Sequence, residues 1–139
     1  WVVAGSTARF CCAFTRVGAM PDAALFWSLP ARIGVPRARR MMLWATEVDG
    51  AEALASGLAD DHAADGSALP LAQTWARKAA QGPIRAYGRV KAGLRQAPMS
   101  IEQALGFQLD NAPALFASAE FKEGSAAFFE KRKPRFGQD

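Results

Sequence analysis

Two short apolar segments at the start of the chain, with no clear strand pattern behind them, constrain the fold most. Residues 1–4 and 9–14 are rich in β-branched, aromatic or cysteine side chains, and residues 5–7 between them have the composition of a turn. An isolated pair of strands is only marginally stable in water, so these segments need more sheet or a covering helix. We therefore expect an upstream sheet, to which a helical region is attached.

Helical patterns fill the rest of the chain, separated by proline and glycine. Ser100 and Gln103 have the spacing of a capping box, and apolar residues recur behind them at intervals of three and four. Pro113 lies inside that segment and is expected to kink it. Helices are predicted over residues 35–46, 49–58, 69–81, 83–96, 101–116 and 119–131.

Composition bounds the class of protein. The 139 residues are 50% hydrophobic and 22% charged, which is ordinary for a globular domain and excludes a disordered or collagen-like chain. The longest uncharged run, residues 66–76, is far shorter than the ~20 apolar residues of a membrane-spanning helix. We expect no membrane partner. The start at Trp1 rather than Met suggests that a natural N-terminus has been lost.

Charge is arranged in blocks that sum to a net +4. Residues 67–99 hold six basic side chains and no acid, and residues 131–135 form a basic run. Such blocks attract the phosphates of a nucleic acid or a cofactor, or they are solvated helix faces. The basic residues are not interleaved with aromatic ones as in nucleic-acid modules, so no nucleic-acid partner is expected. Cys11 and Cys12 are adjacent, too close for an unstrained disulfide, which favours a reduced, cytoplasmic protein.

Two titratable residues are candidates for chemistry. His62, the single histidine, lies in a polar connection, which favours a structural or surface role over a catalytic triad or a metal site. Asp22 is the only acid in the first 46 residues and is flanked by apolar side chains. An apolar setting suits a carboxylate that acts as a general acid or base. The alternative is that Asp22 caps the helix that follows it.

Several motifs in chain order resemble the crotonase superfamily, also called the enoyl-CoA hydratase/isomerase family. Together they cover nearly the whole chain, and their order is that of the family. The motifs are residues 8–10 (ARF), 14–22 (FTRVGAMPD), 28–34 (SLPARIG), 47–58 (EVDGAEALASGL), 116–124 (FASAEFKEG) and 126–136 (AAFFEKRKPRF).

The resemblance implies an α/β crotonase-like fold, a βαβ spiral core followed by a helical C-terminal trimerisation region. Residues 1–34 then correspond to the end of the core, including the Asp22 loop, and residues 35–139 to the helical region. Enzymes of the family act on acyl-coenzyme A thioesters, whose enolate is stabilised by two backbone N–H groups forming an oxyanion hole. In the family those donors precede the matched portion, so the chain by itself is expected to be inactive.

The resemblance also assigns site residues. Phe14 stands where hydratases of the family carry their second glutamate, which disfavours two-glutamate hydration. Asp22 matches the aspartate with which the family's isomerases move a proton along the acyl chain. The family usually continues with Ala-Gly-Gly, where this chain has Ala23, Ala24 and Leu25. The substrate pocket is expected to include Phe14, Leu25 and Phe26. Phe26 and Trp27 each either line the pocket or pack in the core.

In the family, a C-terminal helix of one protomer covers the coenzyme A site of its neighbour. By resemblance, Phe128 covers the thioester arm, and Lys131 and Lys133 meet the phosphates as cations. The expected partners are an acyl-CoA substrate and copies of the chain in a trimer or hexamer, with no permanently bound cofactor. The expected function is enoyl-CoA isomerisation. The alternatives are an enoyl-CoA hydratase and a noncatalytic coenzyme A-binding homologue.

Overall fold

A computed structural model describes residues 1–137 and divides the chain into two compact units, Trp1–Trp75 and a second unit that begins at Ala76. The predicted helical region 35–139 includes residues 138 and 139, which lie outside the described part. Within residues 1–137, the strands lie in the first unit, and the regular elements of the second unit are helices. The elements are β1 (Val3–Gly5), β2 (Arg9–Phe10), a 3-10 helix (Ala13–Val17), α1 (Leu25–Trp44), β3 (Val48–Asp49), α2 (Gly50–Ser56), β4 (Asp61–Ala63), α3 (Ala68–Ala80), α4 (Ile84–Leu94), α5 (Ile101–Phe116) and α6 (Ala119–Phe129).

Each N-terminal strand pairs with a later segment of the first unit. β1 runs parallel to β4, with Ala4 opposite His62, and β2 runs antiparallel to β3, with Phe10 opposite Val48. The sequence prediction missed β3 and β4 because strands of two or three residues are too short to show a period. The predicted strand 9–14 was also too long, since Ala13 and Phe14 begin the 3-10 helix.

The long helix α1 provides much of the buried core. It consists of two helical segments that meet at Gly34, whose φ of 76° breaks the helical conformation directly before the predicted helix 35–46, whereas Pro30 and Pro36 lie within the helical segments. The segment before Gly34 was not predicted. Five side chains of α1, distributed over both segments, are buried: Leu29, Ile33, Ala38, Met41 and Met42.

Helix α2 follows the sequence prediction closely. The Asp49 carboxylate accepts a hydrogen bond of 2.8 Å from the backbone N–H of Glu52, and Gly57 ends the helix in the left-handed conformation. Gly50 begins the helix where it approaches the sheet: a Cβ at this position would collide with the carbonyl oxygen of Gly5. Only glycine therefore fits between β1 and α2 without a shift of the backbone.

The second unit consists of α4, α5, α6 and the end of α3. The predicted capping box at the start of α5 is confirmed, with Ser100 and Gln103 each bonded to the other's backbone N–H. Helix α5 continues through Pro113 to Phe116. Ser118 caps α6. Large apolar side chains remain exposed on these helices: Ile84, Val90, Leu94, Ile101, Leu105, Leu109, Phe116, Phe121, Phe128 and Phe129.

No helix within residues 1–137 is both long enough and apolar enough to cross a membrane.

Candidate functional site

The Asp22 loop joins the 3-10 helix to α1. Gly18 ends the 3-10 helix with a φ of 73°, and the Asp22 carbonyl accepts a hydrogen bond of 2.9 Å from the N–H of Leu25. Ala23 and Ala24 both adopt the left-handed conformation, with φ values of 50° and 58°. This conformation is unfavourable for residues with a Cβ, so the loop is a strained turn that sets the backbone position of Asp22.

The helix-cap interpretation of Asp22 is wrong. The residue at the cap of α1 is Ala24, and no side chain bonds to the free N–H groups there. The Asp22 side chain is exposed, which also corrects the expectation of an apolar enclosure within this chain. Among residues 1–137, nothing donates a hydrogen bond to its carboxylate and no cation pairs with it. Both carboxylate oxygens are therefore unoccupied within the described part of the chain.

The three predicted pocket residues differ from one another in burial. Phe14 and Leu25 are half-buried and pack against the same buried cluster of the first unit. Phe26 instead exposes 60% of its surface and Trp27 exposes 68%. The core-packing alternative for Phe26 is therefore wrong within this chain, and its position leaves the side chain available for a ligand or another part of the protein.

The 3-10 helix that carries Phe14 is tied to the end of α1. Arg16 donates a hydrogen bond of 2.9 Å to the carbonyl of Ala45 and also approaches Glu47, at 3.5 Å between Nη2 and Oε1. Cys11 Sγ lies 3.2 Å from the same Ala45 carbonyl. Neighbouring Cys12 is buried, and that burial raises the pKa of its thiol, with a further contribution from Cys11. These contacts hold the segment before the Asp22 loop in place.

The predicted coenzyme-binding residues lie at the end of α6 and in the segment that follows. Phe128, in the last turn, exposes 78% of its surface, and its ring meets that of Phe129 edge to face at 5.6 Å between centroids. Lys131 and Lys133 follow the helix and are exposed. Within the described chain, neither lysine forms an ion pair, so both ammonium groups are available to an anion.

An open apolar hollow of about 600 Å³ adjoins Phe128. Its walls come from the start of α4, the end of α5 and one side of α6. The aromatic residues that line it are Phe116, Phe121, Phe128, Phe129 and Phe136. The hollow could receive an apolar group. Ser118, a buried polar residue of its lining, has its hydroxyl engaged with the Leu115 carbonyl and the Phe121 backbone N–H, so that hydroxyl is not free to orient a reacting molecule.

Sequence reasoning missed an ion-pair network between α6 and the basic run. Arg132 binds both carboxylate oxygens of Glu123, at 2.6 and 2.9 Å, and its Nε lies 2.5 Å from Glu130. The backbone N–H of Arg135 donates a further hydrogen bond of 2.7 Å to Glu123. The Arg132 guanidinium and this N–H lower the pKa of Glu123 to about 2. The nine-residue spacing from Glu123 to Arg132 gave no helical signal, since the helix ends between them.

Comparison with known proteins identifies the relatives of the chain. The sequence profile of the enoyl-CoA hydratase/isomerase family matches residues 1–139. A protein named "Probable enoyl-CoA hydratase" from Rhodobacter capsulatus is 39% identical over 97% of this chain and 53% of its own length. The "1,2-epoxyphenylacetyl-CoA isomerase" of Escherichia coli is 29% identical over 97% of this chain and 52% of its own length.

Solved structures agree with the sequence comparisons. An enoyl-CoA hydratase from a Polaromonas species superposes with a TM-score of 0.90 and 26% identity, over 97% of this chain and 53% of that one. The chain thus spans about half the length of the curated relatives it matches. The structural agreement confirms the fold class predicted from the sequence.

Proposed function

The chain belongs to the enoyl-CoA hydratase/isomerase family, and from that premise we propose that it carries the proton-transferring carboxylate of an enoyl-CoA isomerase. The observation that supports this most is the state of Asp22. Its carboxylate is exposed and unpaired among residues 1–137, and it sits on a turn held by two left-handed alanines. A carboxylate on a backbone set by such a turn, with its oxygens unoccupied, suits a general base.

The proposed mechanism moves one proton within the acyl group. An oxyanion hole supplied by the part of the fold that precedes this chain in the family polarises the thioester carbonyl and so acidifies a nearby C–H bond. The Asp22 carboxylate takes that proton, and the electron pair of the C–H bond delocalises into a thioester dienolate. Asp22 then returns the proton to a different carbon. The double bond has moved, and no atom is gained or lost.

Phe14 supports isomerisation over hydration. A phenyl ring can neither position water nor carry a proton, and Phe14 stands where the second glutamate of a two-glutamate hydratase is expected. The relatives support both reactions, since they include proteins named as hydratases and as isomerases. Hydration is therefore the second candidate, favoured by the hydratase name of the 39% identical relative.

The substrate is proposed to be an acyl-CoA thioester, with no permanently bound cofactor. Phe14, Leu25 and Phe26 would contact the acyl group, Phe128 would cover the thioester arm, and Lys131 and Lys133 would face the phosphates. In a trimer or hexamer, the last three residues would serve the site of a neighbouring protomer. The exposed apolar side chains of α4, α5 and α6 support such self-association. A cytoplasmic location is proposed from the two free, adjacent cysteines.

Asp22→Asn in the full-length gene product tests the proposal. Isomerisation of enoyl-CoA substrates, followed by chromatography of the products, should fall about 100-fold to 10,000-fold, the usual contribution of a general base. The matched control is Asp65→Asn, which removes an exposed carboxylate from the loop before α3. Its activity should equal that of the wild type.

Two other outcomes would overturn the isomerase proposal. A hydroxyacyl-CoA product formed equally by the wild type and by Asp22→Asn would establish the hydratase alternative. Coenzyme A binding without turnover of any enoyl-CoA would establish a noncatalytic homologue.

A further inference from the structure

The basic segment after α6 turns back along that helix. We call residues 130–137 the basic tail. The backbone N–H of Arg132 donates to the carbonyl of Ala127 at 3.0 Å, which reverses the chain direction. The side chain of Arg132 then reaches Glu123, nine residues earlier on α6. The tail is therefore fastened to the helix and does not extend freely from its end.

Glu123 is the centre of this attachment. Both of its carboxylate oxygens accept hydrogen bonds from the Arg132 guanidinium, and one of them also accepts from the backbone N–H of Arg135. Bidentate pairs of this kind fix orientation as well as distance. One side chain of α6 thus holds two separate points of the tail.

An aromatic contact adds a third point of attachment. Phe136 is half-buried, and its ring lies over Gly124, where a Cβ would be 3.6 Å from the ring edge. A Cβ at that distance would make an ordinary van der Waals contact, so the ring packs against α6 without requiring glycine at position 124. The tail is consequently held on both sides of residues 133 and 134.

The attachment separates the basic side chains of the tail into two kinds. Arg132 is neutralised by Glu123 and Glu130. Lys131 and Lys133, on either side of it, form no ion pair within residues 1–137. Lys131 has a φ of 54°, a conformation uncommon for a side chain with a Cβ. The turn that places Arg132 against Glu123 therefore includes the backbone of Lys131, and Arg132 also donates a hydrogen bond of 3.3 Å to the backbone carbonyl of Lys133.

We propose that Glu123 is a positioning residue for anion binding: by holding Arg132 and Arg135, it fixes Lys131 and Lys133 so that they face the phosphate groups of coenzyme A. The inference rests on the proposed function, which assigns those lysines to the phosphates. It makes an unusual prediction about sign. Charge repulsion alone predicts that removing the negative charge of Glu123 would tighten the binding of an anion. The positioning role predicts the opposite, that removing the Glu123 carboxylate weakens the binding of coenzyme A.

Isothermal titration of coenzyme A into the full-length gene product tests the inference. Glu123→Gln keeps the size of the side chain and raises the net charge by one. The matched control Glu52→Gln does the same at an exposed side chain of α2. If Glu123 positions the tail, Glu123→Gln should raise the Kd about tenfold, comparable to the loss of one charge-assisted contact. Glu52→Gln should leave the Kd within about twofold of the wild type, because its charge lies outside the tail.

A double-mutant cycle guards against a general loss of folding. Arg132→Gln opens the same attachment from the other side, so it should raise the Kd to a similar degree. The variant with both substitutions should bind no more weakly than either single one, because the two residues act as a unit. Additive losses, or equal or tighter binding by Glu123→Gln, would overturn the inference.

The lysines provide the means to separate the two proposals. Lys131→Ala with Lys133→Ala should weaken coenzyme A binding by at least as much as Glu123→Gln. If the wild type does not bind coenzyme A, the proposed function fails and the positioning role fails with it. If the wild type binds and the lysine substitutions weaken binding while Glu123→Gln does not, only the positioning role is wrong.

Discussion

Arg32 on α1 lies 2.6 Å from Asp60, measured from Nη2 to Oδ2, and this pair joins three segments of the first unit. Arg32 Nε also donates to the carbonyl of Leu58 at 2.8 Å, and the same Asp60 oxygen accepts from the backbone N–H of Val2 at 2.6 Å. Burial raises the pKa of Asp60, but the hydrogen bonds from Val2 and Arg32 outweigh it and hold the pKa below its usual value. Helix α1, the loop after α2 and the start of β1 therefore meet at one carboxylate.

Asp60→Asn should destabilise the first unit because it weakens both bonds to that carboxylate. The expected loss is about 1–3 kcal/mol in the free energy of unfolding, measured by urea denaturation followed by circular dichroism. The matched control is Glu47→Gln, whose partner Arg16 is 3.5 Å away and whose side chain is more than half exposed. Its loss should stay below about 0.5 kcal/mol. Equal losses in the two variants would contradict the role given to Asp60.

Gly50→Ala should be strongly destabilising, since the new Cβ would strike the carbonyl oxygen of Gly5 and approach the His62 ring within 2.9 Å. Backbone cannot move aside as a flexible side chain does, so we expect a loss of about 1–3 kcal/mol. Gly88→Ala on α4 is the matched substitution, because a Cβ there meets nothing within 4 Å. It should stabilise its helix by roughly 0.5–1 kcal/mol. Thermal unfolding of both variants compares their stabilities with that of the wild type. A loss of stability in Gly88→Ala as well as in Gly50→Ala would contradict the explanation by contact with Gly5.

Ala24→Gly should stabilise the Asp22 loop. The left-handed φ of 58° at Ala24 is unfavourable for alanine and costs glycine nothing, so a gain of about 1 kcal/mol is expected despite the greater freedom of glycine in the unfolded chain. Ala76→Gly, in the exposed middle of α3, should instead lose about 1 kcal/mol. The melting temperature should rise in Ala24→Gly and fall in Ala76→Gly, each relative to the wild type. A loss at Ala24 as large as that at Ala76 would show that the loop is not strained in the way its backbone angles indicate.

Much of the helical framework could be predicted from local sequence chemistry. Ser100 with Gln103, Asp49 and Gly57 form caps through contacts within a few residues, so their patterns are visible in the chain itself. Strands β3 and β4 could not be predicted in this way. They form only because β2 and β1 offer partners, and pairing across 38 or more residues leaves no local signature.

In the candidate site, too, local sequence features were predictable and contacts between distant residues were not. Asp22 was identified from its isolation among apolar residues and from a family motif. The exposure of its side chain was not predicted, because exposure depends on which residues the rest of the fold covers. The Glu123 attachment was missed because its partners approach only after α6 has ended and the tail has reversed. Contacts made by a chain reversal have no fixed spacing, so they are found in a structure and not in a periodic pattern.

Acidification should release the basic tail at a pH far below the usual range for a glutamate. The Arg132 guanidinium lowers the pKa of Glu123 to about 2. The stability that the attachment provides is therefore fully present above the ordinary glutamate pKa of about 4.3, and it is lost as the pH falls through about 2. Nuclear magnetic resonance of the Glu123 carboxyl carbon should give a titration midpoint of about 2. Arg132→Gln should move that midpoint upward, since the main cause of the shift is then absent. A wild-type midpoint of about 4.3 would mean that the tail is already free in solution at neutral pH.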